Sequence, residues 1–111
     1  MNKILLNTNS LFLEFSKALK EKKYLKAKNL LKKILSINPD IFEANHNLAI
    51  LSLQLGEIDN SIIYFEKSKK LNPKLPQVYF NLALAYDKKG EIHKAIINFK
   101  KVIELDSNNS L

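Results

Sequence analysis

Tyr79-Phe80-Asn81-Leu82-Ala83-Leu84-Ala85-Tyr86 leads through a charged segment to Gly90, and then to Ala95-Ile96-Ile97-Asn98-Phe99. The same order stands 34 residues upstream, where Asn47, Leu48, Ala49, Gly56, Glu57, Ile58, Ile62, Ile63, Phe65, Lys67 and Leu71 are each repeated. These are 11 identities in a window of 34 residues, where this composition yields roughly three by chance. Another 34 residues back, Pro39, Asn38, Lys33 and Leu19 match Pro73, Asn72, Lys67 and Leu53. The period divides the chain into three units, 8–41, 42–75 and 76–109, preceded by an amino-terminal extension, 1–7.

Each unit reads as two helices. In the second, Leu48, Leu51 and Leu55, then Ile58, Ile62, Phe65 and Leu71, recur at helical spacings, as one apolar helix face requires. Gly56 stands where the first helix must stop, since glycine adopts the left-handed conformation past a helix end without a steric penalty. Asn72-Pro73 ends the second helix, because proline drives the preceding residue out of the helical region. Pro76 suits the first turn of the next one, where its missing N–H costs nothing. No β alternation or Asn-Gly hairpin signal occurs.

The third unit, Tyr79-x2-Leu82-Ala83-x2-Tyr86, Gly90, Ala95-x3-Phe99, resembles the tetratricopeptide repeat, and the resemblance covers nearly the whole chain. It implies an all-α fold, a right-handed superhelical stack of three helix–turn–helix repeats in one domain. Ala83 and Ala95 are expected to let antiparallel helices approach, with Tyr79 and Phe99 filling the space around them. The first unit departs from the pattern: Glu14 and Phe15 replace Leu and Ala, and Lys22 replaces the glycine. A terminal repeat lacks a neighbour on one side, so such drift is expected there.

The resemblance also implies a function, a scaffold whose first helices line a concave groove for a partner peptide or helix. Carried over register by register, the lining positions are Asn9, Phe12, Leu13, Ser16, Leu19 and Lys20 in the first unit. The second contributes Glu43, His46, Asn47, Ile50, Leu53 and Gln54, and the third Gln77, Phe80, Asn81, Leu84, Asp87 and Lys88. Phe12 and Phe80 are the expected anchors, since aromatic residues often dominate binding energy. Similar repeats that clamp the acidic carboxyl terminus of chaperones use Lys, Asn, Asn, Lys and Arg, but the matching positions here are Phe12, Ser16, Asn47, Gln77 and Asn81. Only Asn47 fits, so a chaperone tail is excluded. In related repeats of glycosyltransferases, Asn at the register of Asn47 and Asn81 grips an extended peptide backbone. The alternative reading is therefore a substrate-presenting module of a larger enzyme.

The residues carry no converging chemistry of their own. There is no Cys, which excludes disulfides, thiol catalysis and cysteine metal sites; His46 and His93 are the only histidines, and Gly56 and Gly90 the only glycines. No catalysis, metal or cofactor is expected. No stretch nears the roughly 20 apolar residues of a membrane span, and Asn7 to Ser10 interrupts any leader-like core. A cytoplasmic location without membrane insertion follows as the expectation.

The formal charge of +7 raises nucleic acid as a partner. Its distribution is uneven: residues 1–38 hold nine Lys and two acids, whereas residues 39–111 hold nine of each. All 18 basic residues are Lys, whereas specific base contacts favour Arg. Nucleic-acid or acidic-surface binding by the first repeat thus ranks below groove binding. Finally, Ile92, Ile96, Ile97, Phe99, Val102, Ile103 and Leu105 give the last helix more apolar surface than one partner helix covers. The expectation is that this end self-associates, docks a partner, or continues in a longer chain.

Overall fold

A computed structural model describes residues 3–109, which form six α-helices. They are α1 (Lys3–Lys20), α2 (Tyr24–Ile37), α3 (Phe42–Gln54), α4 (Ile58–Leu71), α5 (Pro76–Lys89) and α6 (Ile92–Asn109). Each packs on its sequence neighbours, most closely within the hairpins α1–α2, α3–α4 and α5–α6, and α3 also reaches α5. Residues 3–7, set apart as an extension in the sequence, continue α1 as helix.

Two clusters of buried side chains hold the stack. The first joins three helices through Phe15, Ala18, Ala27, Leu31, Ile34, Ala44 and Leu48. The second joins α3 to α6 through Ala49, Phe65, Leu82, Ala85, Tyr86 and Ala95. Tyr86 Oη donates to Glu66 Oε2 at 2.6 Å. Burial and the facing carboxylate push the phenol well above its ordinary value. Burial raises Glu66, but the hydrogen bonds from Lys69 and Tyr86 outweigh it and hold the carboxyl below its usual range.

All three hairpin turns close the same way. Gly56 and Gly90 have φ of 81° and 89°, and Lys22 takes the left-handed conformation at 59°. Lys23, Glu57 and Glu91 each donate a backbone N–H to the carbonyl five residues back, at 2.8, 2.8 and 2.9 Å. This is the paired-carbonyl ending that follows a left-handed residue. Only at Lys22 is it made without glycine, against the clash of Cβ with the backbone. Lys22→Gly is expected to raise unfolding free energy by about 1 kcal/mol, less the extra entropy glycine gives the unfolded chain. Urea denaturation checks the sign, and a loss of stability refutes the strain.

The turns between repeats are pinned differently. Asn38 Oδ1 accepts from the Asp40 backbone N–H at 3.0 Å, an Asx turn that carries the chain past Pro39. Asn45 Nδ2 then donates to the carbonyls of Pro39 and Ile41, at 3.1 and 2.9 Å. One repeat later Tyr79 Oη donates to the Pro73 carbonyl at 2.7 Å. Two unlike side chains at one register therefore perform the same task.

Candidate functional site

The first helices of the repeats bring matching registers into rows. Phe12, His46 and Phe80 form one row, Leu13, Asn47 and Asn81 another, and Lys20, Gln54 and Lys88 a third, each step being 34 residues. Phe12 meets Phe15 edge to face at 6.5 Å and is half-buried against the first core. The His46 ring stacks on Phe42 at 5.3 Å and meets the edge of Phe65 at 5.9 Å. Phe80 stands on Phe99 at 5.8 Å, with 41% of its surface exposed. The rings rest on packed aromatic supports, and Phe80 offers the most open surface of the three.

Polar groups join only part of this surface. Gln77 Nε2 donates to Asn81 Oδ1 at 3.2 Å, and Asn81 Nδ2 reaches His46 Nε2 at 3.4 Å. Burial keeps the His46 imidazole below its ordinary pKa, so the neutral ring can accept there. Both ends of the Asn81 carboxamide thus have partners within the protein. The Asn47 side chain makes no hydrogen bond among the described residues, leaving its donor and acceptor to solvent. The two asparagines share a register but differ in availability.

The remaining expected residues fall into two groups. Ile50 and Leu53 pack against the second core and Leu19 against the first, so they form the floor. Asn9, Leu13, Ser16, Lys20, Glu43, Gln54, Gln77, Asp87 and Lys88 are exposed, and Leu84 is half-buried. A cleft of about 290 Å³, lined by Pro76, Gln77, Phe80, Val102 and Asp106, opens beside Phe80. Tyr79 and Tyr86 are 7% exposed and serve packing and the hydrogen bonds above.

Two readings of the sequence need correction. Lys28, one of the nine lysines that make residues 1–38 basic, is not part of an open cationic surface: it is buried on α2, and its Nζ donates to both Glu57 carboxylate oxygens at 2.9 Å. Ile97 is 66% exposed, but Ile63, at the same register of α4, is 62% exposed although α5 follows it. That register faces solvent in either setting, so Ile97 does not belong to the surface a further helix would cover. Ile92 and Ile96, 50% and 44% exposed, do, since their counterparts Ile58 and Ile62 are partly buried. The matching face of α1 does not complement them. Where α3 buries Ala44, Leu48 and Leu51 and α5 buries Val78, Leu82 and Ala85, α1 exposes Ser10, Glu14 and Lys17. Stacking copies head to tail would bury Glu14 and Lys17 against isoleucine, at a desolvation cost.

Among the described residues no group of His, Cys, Asp or Glu could hold a metal ion. No helix among them is long and apolar enough to cross a membrane.

An array of helical hairpins with two inter-repeat cores is the build of a helical-repeat protein. Family models of the tetratricopeptide repeat match residues 42–75 and 76–109, and the chain belongs to that family. No curated protein sequence matches it. Among solved structures it resembles a crystal structure of MamA, with a TM-score of 0.86 and 23% identity over 93% of this chain and 60% of that one. MamA MSR-1 gives a TM-score of 0.84 at 27% identity, over 92% of this chain and 59% of that one. MamA AMB-1 gives 0.84 at 28%, over 90% and 55%. The chain thus spans about three-fifths of the first two and slightly less of the third. The repeats and these neighbours support a protein-interaction scaffold in general.

Proposed function

We propose that the chain binds an extended or helical protein segment across its first helices, with apolar side chains of the segment seated against Phe12, Ile50, Leu84 and Phe80. Asn47 holds the segment's backbone, because a carboxamide both donates and accepts and so reads a peptide group without regard to its side chain. The observation that carries this reading is the unengaged Asn47 carboxamide next to the ring-bearing row of Phe12, His46 and Phe80, beside an Asn81 already bonded to Gln77 and His46. Lys20 and Lys88, exposed at one register and outside any ion pair among the described residues, border the same surface.

Peptides selected from a random library on the immobilised chain test the proposal. Phe80→Ala is expected to weaken the selected peptides about tenfold, as loss of an aromatic anchor does. Asn47→Ala is expected to weaken them several-fold and Asn81→Ala less, through its own protein partners. Ile63→Ser, on an outward helix face, serves as the control. Peptides weakened by Ile63→Ser but not by Phe80→Ala would move the binding surface away from the first helices.

A further inference from the structure

The second surface is the outer face of α2. Leu25, Lys26, Asn29, Lys32, Lys33 and Ser36 are all exposed there, and their spacing of three, four and seven residues gathers them into one stripe. Tyr24 and Leu25, beside Lys22 at the turn, are 40% and 65% exposed. The helix contains no Asp or Glu. Of the acids around it, Glu21 faces Lys23 at 3.6 Å, Glu57 is taken up by Lys28, and Glu14 lines a cleft with Lys33 without pairing with it. Lys22, Lys26, Lys32 and Lys33 have no ion pair among the described residues.

The internal repeat shows which of these residues the fold does not require. The register of Lys22 holds Gly56 and Gly90 in the other repeats, and that of Leu25 holds Asp59 and His93. The first repeat thus puts a cation where the backbone favours glycine, and an exposed leucine where the others carry polar groups. Both departures fall at the same turn, next to the uncompensated lysines. Neither adds to the core.

We propose that the α1–α2 turn and the outer face of α2 dock on an anionic lipid bilayer. The lysines lie against negatively charged headgroups, each contributing to attraction as basic residues near such surfaces do. Tyr24 and Leu25 enter the boundary between headgroups and acyl chains, where an aromatic ring and an aliphatic side chain gain from leaving water. A nucleic acid would reward the lysines but not Leu25, and favours the forked, stacking guanidinium this chain lacks. An acidic peptide would match the charge, but the cleft of about 290 Å³ that Lys33 lines also holds the carboxylate of Glu14, which would repel it. The docking is peripheral and leaves the first-helix surface open.

Co-sedimentation of the full chain with vesicles tests this, comparing phosphatidylcholine alone with phosphatidylcholine containing phosphatidylserine at about one part in three. Binding is expected only to the anionic vesicles, and is expected to vanish in about 0.5 M salt as screening shortens. Lys26→Glu/Lys32→Glu/Lys33→Glu is expected to lower partitioning by about a hundredfold or more. Lys70→Glu/Lys74→Glu/Lys100→Glu makes the same change in net charge elsewhere and is expected to leave most binding intact. Leu25→Ser, at a site too exposed to unfold the chain, should weaken vesicle binding several-fold while leaving any binding to duplex DNA unchanged. Absence of binding to anionic vesicles at low salt overturns the proposal. So does equal loss with both lysine triples. Duplex DNA bound as tightly as the vesicles, with vesicle binding indifferent to Leu25→Ser, would assign the face to nucleic acid instead.

Discussion

Phe65→Ala is expected to lower the unfolding free energy by about 3–5 kcal/mol, the usual cost of deleting a large buried aromatic side chain. Phe65 is 0% exposed and sits where α3, α4 and α5 meet. Its loss leaves a cavity bordered by Ala49 and Ala85, side chains too short to close over it, so relaxation recovers little. Domains of this size have about 5–15 kcal/mol in all, and about 15–30 °C of melting temperature goes with the loss. Phe99 at the same register of α6 supplies an internal control. It is only partly buried, packed against the second core and Phe80, because no helix covers that side of α6 among the described residues. Phe99→Ala should therefore cost about half as much. Equal melting temperatures for the two variants would show that the interface between the second and third repeats does not carry the stability assigned to it.

The different burial of Phe65 and Phe99 also shows where a repeat pattern stops being informative. The 34-residue period was legible because a few positions permit few residues. Gly56 and Gly90 occupy left-handed backbone at φ of 81° and 89°, and Pro73 and Pro76 mark a helix end and a helix start. The first turn was harder to see, because Lys22 adopts that conformation without the residue type that signals it. Identity also conceals equivalence: Asn45 and Tyr79 tie the preceding turn through different atoms, and neither residue type announces the other. The first-helix rows could be laid out from spacing alone. That Asn81 is engaged and Asn47 is not depends on Gln77 and His46, a relation between repeats that no single period contains. Exposure of Ile97 was misjudged for a related reason, since an isoleucine on an outward register looks the same in a sequence as one awaiting a partner.

Lys28 and Glu57 were invisible as a pair, being 29 residues apart and not repeated. The register of Lys28 holds Ile62 and Ile96, whereas that of Glu57 holds Glu91. Glu91 Oε2 accordingly lies buried without a hydrogen-bond partner among the described residues; the Lys94 ammonium stands 3.3 Å away but is not aligned to donate. The pair is therefore particular to the junction of the first two repeats, and its two ends are unequal. The Lys28 side chain is 11% exposed and that of Glu57 35%. Removing either partner leaves the other behind, and the cost depends on how far from water the remaining charge stands.

Glu57→Leu is expected to cost about 2–3 kcal/mol, because it strands the ammonium, less whatever Lys28 regains by swinging its flexible stem toward solvent. Lys28→Met should cost under about 1 kcal/mol, since the third-exposed carboxylate can return to water and the methionine keeps the apolar contacts of the lysine stem. The double variant is expected within about 1 kcal/mol of the parent, the usual result when a buried ion pair gives way to apolar groups. Urea unfolding of the four proteins closes the cycle, with a coupling of about 2–3 kcal/mol. If Lys28→Met proved the more damaging single change, the inequality of burial would not be what sets the cost. If the double variant lost the sum of both singles, the two groups would not be acting on each other at all. The expected asymmetry follows from geometry rather than from the strength of the bond: both carboxylate oxygens lie 2.9 Å from the ammonium, yet only the lysine end lacks water to fall back on.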